Sequence, residues 1–98
     1  MVLTAKQRQF LKGLAHPLSP VVRIGKGGMT PSVIAEVRKS LAAHELIKVR
    51  IDAEDPDARR EAAEDLAKAV DAELAGRIGK LAILYRARDD EPTIRLPK

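Results

Sequence analysis

Residues 23–34, RIGKGGMTPSVI, place three glycines and a lysine in four consecutive positions between a short apolar run and a Thr-Pro pair. Where a strand ends and a helix begins, such a cluster exposes main-chain N–H groups beside the positive end of the helix dipole. Those are the ingredients of an anion site. Spacing then sorts among the phosphate loops. A nucleoside-triphosphate loop needs GxxxxGK followed by Ser or Thr, which the chain lacks, and the dinucleotide fingerprint GxGxxG fails because Thr30 stands where its last glycine belongs. What remains is Gly25-Lys26-Gly27-Gly28, a GxxG.

A GxxG loop is the device by which KH-type RNA binders clamp a nucleic-acid backbone, since residues without side chains let the sugar-phosphate chain come close to main-chain amides. Lys26 adds a mobile charge to the loop. Arg23, Arg38 and Lys39 flank it in sequence, and Lys6, Arg8 and Lys12 precede it. Contacts of this kind read backbone and shape more than bases. Aromatic stacking has little to offer, because Phe10 is expected in the core and Tyr85 in an apolar strand. The plainer reading of the same loop is a turn that needs positive φ.

The wider charge pattern favours a polyanionic partner. Residues 1–50 carry nine Lys or Arg against Glu36 and Glu45 alone, whereas residues 51–98 carry nine basic against twelve acidic, so a net +4 hides a chain polarised along its length. A surface of one sign attracts and holds the opposite sign. Catalysis finds little support. His16 and His44 lack ligand spacing, and no nucleophile can be paired with a base. Asp57, Glu61, Glu64, Asp65 and Asp71 read as the solvated face of a helix. No cysteine is present, which removes disulfides, a thiolate nucleophile and Cys-ligated zinc together. No metal, cofactor or small-molecule substrate is expected. The absence of a signal-length or membrane-length apolar run points to the cytoplasm, and nothing demands more than a monomer.

The elements that must position the loop follow from local signals. Residues 1–98 read as one domain in the order helix, strand, helix, strand, helix, strand, strand. Thr4 caps a first helix with Gln7, Phe10, Leu11 and Leu14 at helical spacing, ended by Gly13 and Pro17. PVVRIG reads as a buried strand. Thr30 and Pro31 start a second helix to about Ala43, with Val33, Ile34, Val37 and Leu41 inward. LIKVRID alternates, so Ile47, Val49 and Ile51 face the core while Lys48 and Arg50 face water or a ligand. Asp55-Pro56 opens a long third helix whose stripe runs through Ala63, Leu66, Ala67, Val70 and Leu74 to an end at Gly76. RIGKLAILYR is a hairpin turning near Gly79-Lys80, and Thr93 to Leu96 form a frayed edge strand. A helix between the first two strands makes them parallel neighbours, and the hairpin adds antiparallel pairs. The expectation is an α/β two-layer sandwich, a four-stranded mixed sheet with the helices mainly on one face and the Lys48/Arg50 face open.

Three stretches also carry a resemblance. LTAKQRQFLKGLAHPLSPVVRIGKGGMT, then HELIKVRI, then IGKLAILYR, resemble the CRM domain, the module of chloroplast RNA splicing and ribosome maturation, and within it the stand-alone bacterial YhbY-like proteins. The likeness runs from Leu3 to Leu96 with the motifs in the family's order. It implies a fold similar to the C-terminal domain of translation initiation factor three, with a GxxG loop placed as in KH domains. It further implies a non-catalytic protein that binds ribosomal RNA in large-subunit precursors through Gly25, Lys26, Gly27 and Gly28, supported by Lys6, Arg8 and Lys12. Met29 departs from the family's more frequent Leu, and the acidic third helix carries little family signature. A different class stays open beside it, a protein-interaction adaptor in which the glycine loop is a structural turn. An enzyme acting on a phosphorylated small molecule is disfavoured by the missing acid–base pair.

Overall fold

The computed structural model describes residues 2–25 and 27–98. Its elements are α1 (Ala5–Ala15), β1 (Pro20–Ile24), α2 (Pro31–His44), β2 (Leu46–Ile51), α3 (Pro56–Ala69), β3 (Glu73–Ile78) and β4 (Leu81–Tyr85). One sheet results, in the order β1-β2-β4-β3, with β1 and β2 parallel and the other pairs antiparallel. Element order and mixed sheet are as expected.

Each helix starts where its cap stands. Thr4 Oγ1 accepts from the Gln7 amide at 3.1 Å while Gln7 Oε1 accepts from the Thr4 amide at 3.0 Å, a reciprocal capping box. Thr30 Oγ1 accepts from the Val33 amide at 3.2 Å, and Asp55 does the same for Ala58 at 3.2 Å, each followed by proline at the first helical position.

The layering differs from the expectation. On one face α2 and α3 bury Val37, Leu41, Ala63, Leu66 and Val70 against Val22, Ile24, Ile47, Val49, Ile51, Ala82 and Leu84. On the other face α1 covers Leu46, Ala75, Ile83 and Tyr85 with Leu3, Leu11 and Ala15. The helices thus lie on both sides, and the face thought open is open only beyond the reach of α1. Lys48 falls under α1: it is buried, and its ammonium donates to the carbonyls of His16 at 3.1 Å and Leu18 at 3.0 Å, at the negative end of the α1 dipole. Alternation alone turns this residue toward water or a ligand. Conversely, Phe10 and Leu14, expected inward, are 38% and 41% exposed, because Leu11 and Ala15 already meet the sheet.

Two boundaries also move. α3 stops at Ala69, since Asp71 takes φ +55 and the chain re-enters the sheet at Glu73; Leu74 faces the α2–α3 core from a strand and not from a helix. Gly76 lies inside β3, next to a register shift after Leu74, and the Lys12 side chain occupies the space a Cβ would fill there. Thr93 to Leu96 join no strand. That segment is held by the carboxylate of Glu45, which is fully buried and ends α2 with φ +63. Its Oε2 accepts from the Arg88 amide at 2.9 Å, and its Oε1 accepts from the amides of Thr93 at 2.7 Å and Ile94 at 3.1 Å, as well as from the Thr93 hydroxyl.

Candidate nucleic-acid interface

Parallel pairing sends the C-terminal ends of β1 and β2 the same way, and antiparallel β4 begins at that end, with Leu81 opposite Arg50. The glycine loop, the segment after β2 and the Gly79-Lys80 turn therefore meet at one rim. Two ladder bonds fasten them: the Asp52 amide donates to the Ile24 carbonyl at 3.0 Å, and the Ile51 amide donates to the Lys80 carbonyl at 2.7 Å.

Inside the loop, the Gly28 amide donates to the Gly25 carbonyl and the Thr30 amide to the Gly28 carbonyl, both at 3.1 Å. Gly28 has φ +71, a conformation that favours glycine for intramolecular reasons alone. Gly25 and Gly27 differ. Neither has positive φ, both are exposed, and a Cβ on either would meet nothing within 4 Å among the described residues. Among the described residues, nothing packed against these two positions calls for glycine. Lys26 lies outside the described residues.

Beside the loop is a cleft of about 310 Å³ lined by Arg23, Gly25, Arg50, Asp52, Glu54 and Lys80. Register places Arg23 directly beside Arg50 on the α1 side of the sheet. One carboxylate serves both: Asp52 accepts from Arg50 Nε at 2.8 Å and from Arg23 Nε, so both guanidinium forks are held from their inner edges. Their Nη groups make no hydrogen bond to other described residues, and the side chains are 70% and 47% exposed against 15% for Asp52. Arg50 first, and Arg23 with it, hold the Asp52 carboxyl below its ordinary range. Lys80 donates to Glu54 at 3.0 Å and lowers that carboxyl likewise. Three cations face two carboxylates, leaving the rim weakly positive with donors turned outward.

The sequence-derived candidates divide. Arg23, Gly25, Gly27 and Gly28 come together at the rim, and Lys12 lies over Gly76 on the same face of the sheet. Lys6 is drawn to the chain's far end, 3.5 Å from the Lys98 carbonyl. Arg38 donates to the Ala69 carbonyl at 2.7 Å, closing the C-terminal end of α3. Arg8 and Lys39 are exposed on α1 and α2, with no bond to the rim. Arg50 and Lys80 are rim residues that the motif did not include. Alternation had placed Arg50 on the correct face, but only the strand register shows that it stands beside Arg23.

The CRS1 / YhbY (CRM) domain model matches residues 3–86. The chain belongs to the CRM domain family. A Haemophilus influenzae relative named an RNA-binding protein is 41% identical over 96 residues, covering 98% of this chain and 96% of its own. A Bacillus subtilis relative named a probable RNA-binding protein is 35% identical over 96 residues, covering 98% and 100%. Among solved structures, a Staphylococcus aureus protein described as a candidate RNA binder superimposes with TM-score 0.87 at 38% identity, over 98% of this chain and 100% of that one. The three-helix, four-stranded arrangement is thus that of a CRM domain, and the glycine rim lies within the matched residues.

Proposed function

We propose that this CRM domain is a non-catalytic RNA-binding protein that grips the sugar-phosphate backbone at the glycine rim, and that its target is ribosomal RNA in a large-subunit precursor, where it assists assembly. One observation carries the reading: Gly25 and Gly27 stay bare where none of the described residues would meet a side chain, next to two arginines whose outer donors bond to none of the other described residues. A loop without side chains lets a phosphate approach main-chain and guanidinium donors together. The names of the relatives support RNA as the partner, and the family resemblance supports the ribosomal precursor.

Gly27→Asp is the test, because its side chain enters open space and leaves the fold alone, whereas a change at Gly28 would strain the loop. It is expected to lower affinity for ribosomal RNA at least about tenfold, the effect of one lost charge-assisted contact plus one repulsive charge. Equal affinity of variant and parent at the same salt would refute the loop assignment. With about three to five phosphates neutralised, log K for the parent should fall against log salt with a slope of roughly −2 to −3.5. Crosslinking in cells, followed by sequencing of the attached RNA, is expected to return large-subunit ribosomal sequences; their absence would remove the ribosomal part of the reading.

A second reading draws on a separate hollow of about 420 Å³ lined chiefly by Leu14, Leu18, Val21, Leu46, Ile47 and Ile94. It would seat an apolar segment of a protein. Under that adaptor reading, ribonuclease treatment would leave the chain's complexes intact.

A further inference from the structure

The sheet carries a feature that the loop alone does not explain. Arg23 is opposite Arg50, Arg50 opposite Leu81, and Leu81 opposite Ile78, so one row of side chains crosses all four strands on the α1 face. The next row inward, Lys48, Ile83 and Gly76, is covered by α1: Lys48 by the carbonyls at the helix end, and Gly76 by the stem of Lys12. α1 therefore stops one row short. Arg23, Arg50 and Ile78 are exposed, Ile78 by 51%, and Leu81 is half-buried.

Three gaps between strands make this ledge about 14 Å long. Its two halves differ in chemistry. Beside the glycine loop it offers paired guanidinium forks, oriented by Asp52. Beside the Gly79-Lys80 turn it offers two branched aliphatic side chains with a lysine at either border, Lys80 in the turn and Lys12 over Gly76.

We infer that single-stranded RNA crosses this ledge, its phosphates on Arg23 and Arg50 and an unstacked base resting on Leu81 and Ile78. The inference deepens the RNA-binding reading and rests on it. Cationic donors adjoining an apolar shelf match a strand that shows phosphate and a bare base face together; a four-stranded sheet face has room for about two or three bases. An A-form duplex keeps its bases stacked and can use only the arginine half. The charge of the row and its continuity with the glycine rim argue for this occupant over an apolar peptide, which would leave the arginines unmatched.

The test uses the full chain with two probes at one ionic strength: a labelled oligouridylate, and the same strand annealed to oligoadenylate. The parent is expected to bind the single strand more tightly. Ile78→Ser should lower oligouridylate affinity about three- to tenfold, leave duplex affinity unchanged, and leave the salt slope unchanged because no charge is lost. Ile78→Leu should restore most of the affinity, which separates contact from an edge-strand folding effect. Arg50→Gln should weaken both probes. A parent that prefers the duplex, or an Ile78→Ser variant that binds oligouridylate like the parent, overturns the ledge. Should Gly27→Asp abolish binding while Ile78→Ser does nothing, the loop stands and the ledge falls; the reverse pattern keeps the ledge and removes the loop.

Discussion

Glu45→Gln isolates the carboxylate that holds the C-terminal segment. Its two oxygens accept from three amides and the Thr93 hydroxyl, and burial, which by itself raises a carboxyl's pKa, is outweighed by those bonds, so the group is lowered from 4.5 to about 2. A displacement of that size corresponds to roughly 3 kcal/mol of preference for the charged form. Pro92 and Thr93 are exposed, so screening brings the stability at stake to about 2 kcal/mol. Glutamine keeps the shape but turns an NH₂ toward either the Arg88 amide or the Thr93 cluster, donor against donor. Loss of a hydrogen bond to a charged acceptor costs about 1.5–3 kcal/mol, in agreement with the first figure. For a chain of 98 residues the melting temperature should fall by on the order of 10 °C at neutral pH. The sign with pH is fixed. A carboxyl lowered in the folded state contributes in full above its unfolded value near 4.5 and loses that contribution as pH falls toward 2. Urea titrations of parent and variant should therefore differ most at pH 7 and converge between about pH 4.5 and 2. Equal stability at pH 7, or a gap that does not change with pH, would show that the latch contributes nothing as an anion.

Two further perturbations probe the fold that carries the rim. Lys48→Met removes the buried ammonium from the carbonyls of His16 and Leu18 and forfeits two hydrogen bonds from a charged donor; a loss of about 1–3 kcal/mol is expected by urea titration, although periodicity alone would treat the site as surface. Gly28→Ala should cost about 1 kcal/mol through its left-handed backbone, while Gly27→Ala should be neutral within about 0.5 kcal/mol; equal costs at both would contradict the loop geometry.

Local signals made the frame legible. Thr4, Thr30 and Asp55 mark helix starts because a cap is a three-residue event, and Gly79-Lys80 marks a hairpin because the turn needs φ +58 at one position. What depended on distant partners was not legible. Alternation in LIKVRI divides two faces, yet cannot say that α1 covers Lys48 and spares Arg50. Leu74 fits a helical stripe and a strand face equally well, and only the turn at Asp71 decides between them. Glu45 looks like an ordinary polar residue after a helix, since its donors come from residues more than forty positions away. The loop was recognised, but not its nearest charges: Arg50 and Lys80 reach it through register, while Arg38, close in sequence, turns toward α3.

The polarity of the chain along its sequence does not survive folding, and this yields an expectation opposite to simple mutational loss. Asp52 and Glu54, from the acidic half, stand within the basic rim, but their roles differ. Asp52 is half-buried and orients two arginines, so Asp52→Asn should loosen them and weaken RNA binding. Glu54 is 90% exposed, and its carboxylate pairs with Lys80, with the Arg59 guanidinium nearby on the Glu54 carbonyl. An exposed pair of this kind contributes little to folding, but it occupies an ammonium that a phosphate would otherwise take. Glu54→Gln should therefore tighten RNA binding about two- to threefold at low salt, with the advantage vanishing once the Debye length falls to a few ångströms near 1 M. Affinity measured across a salt series for parent and variant decides it. If Glu54→Gln binds no better at low salt, Lys80 lies off the path of the RNA, and the rim ends at the two arginines.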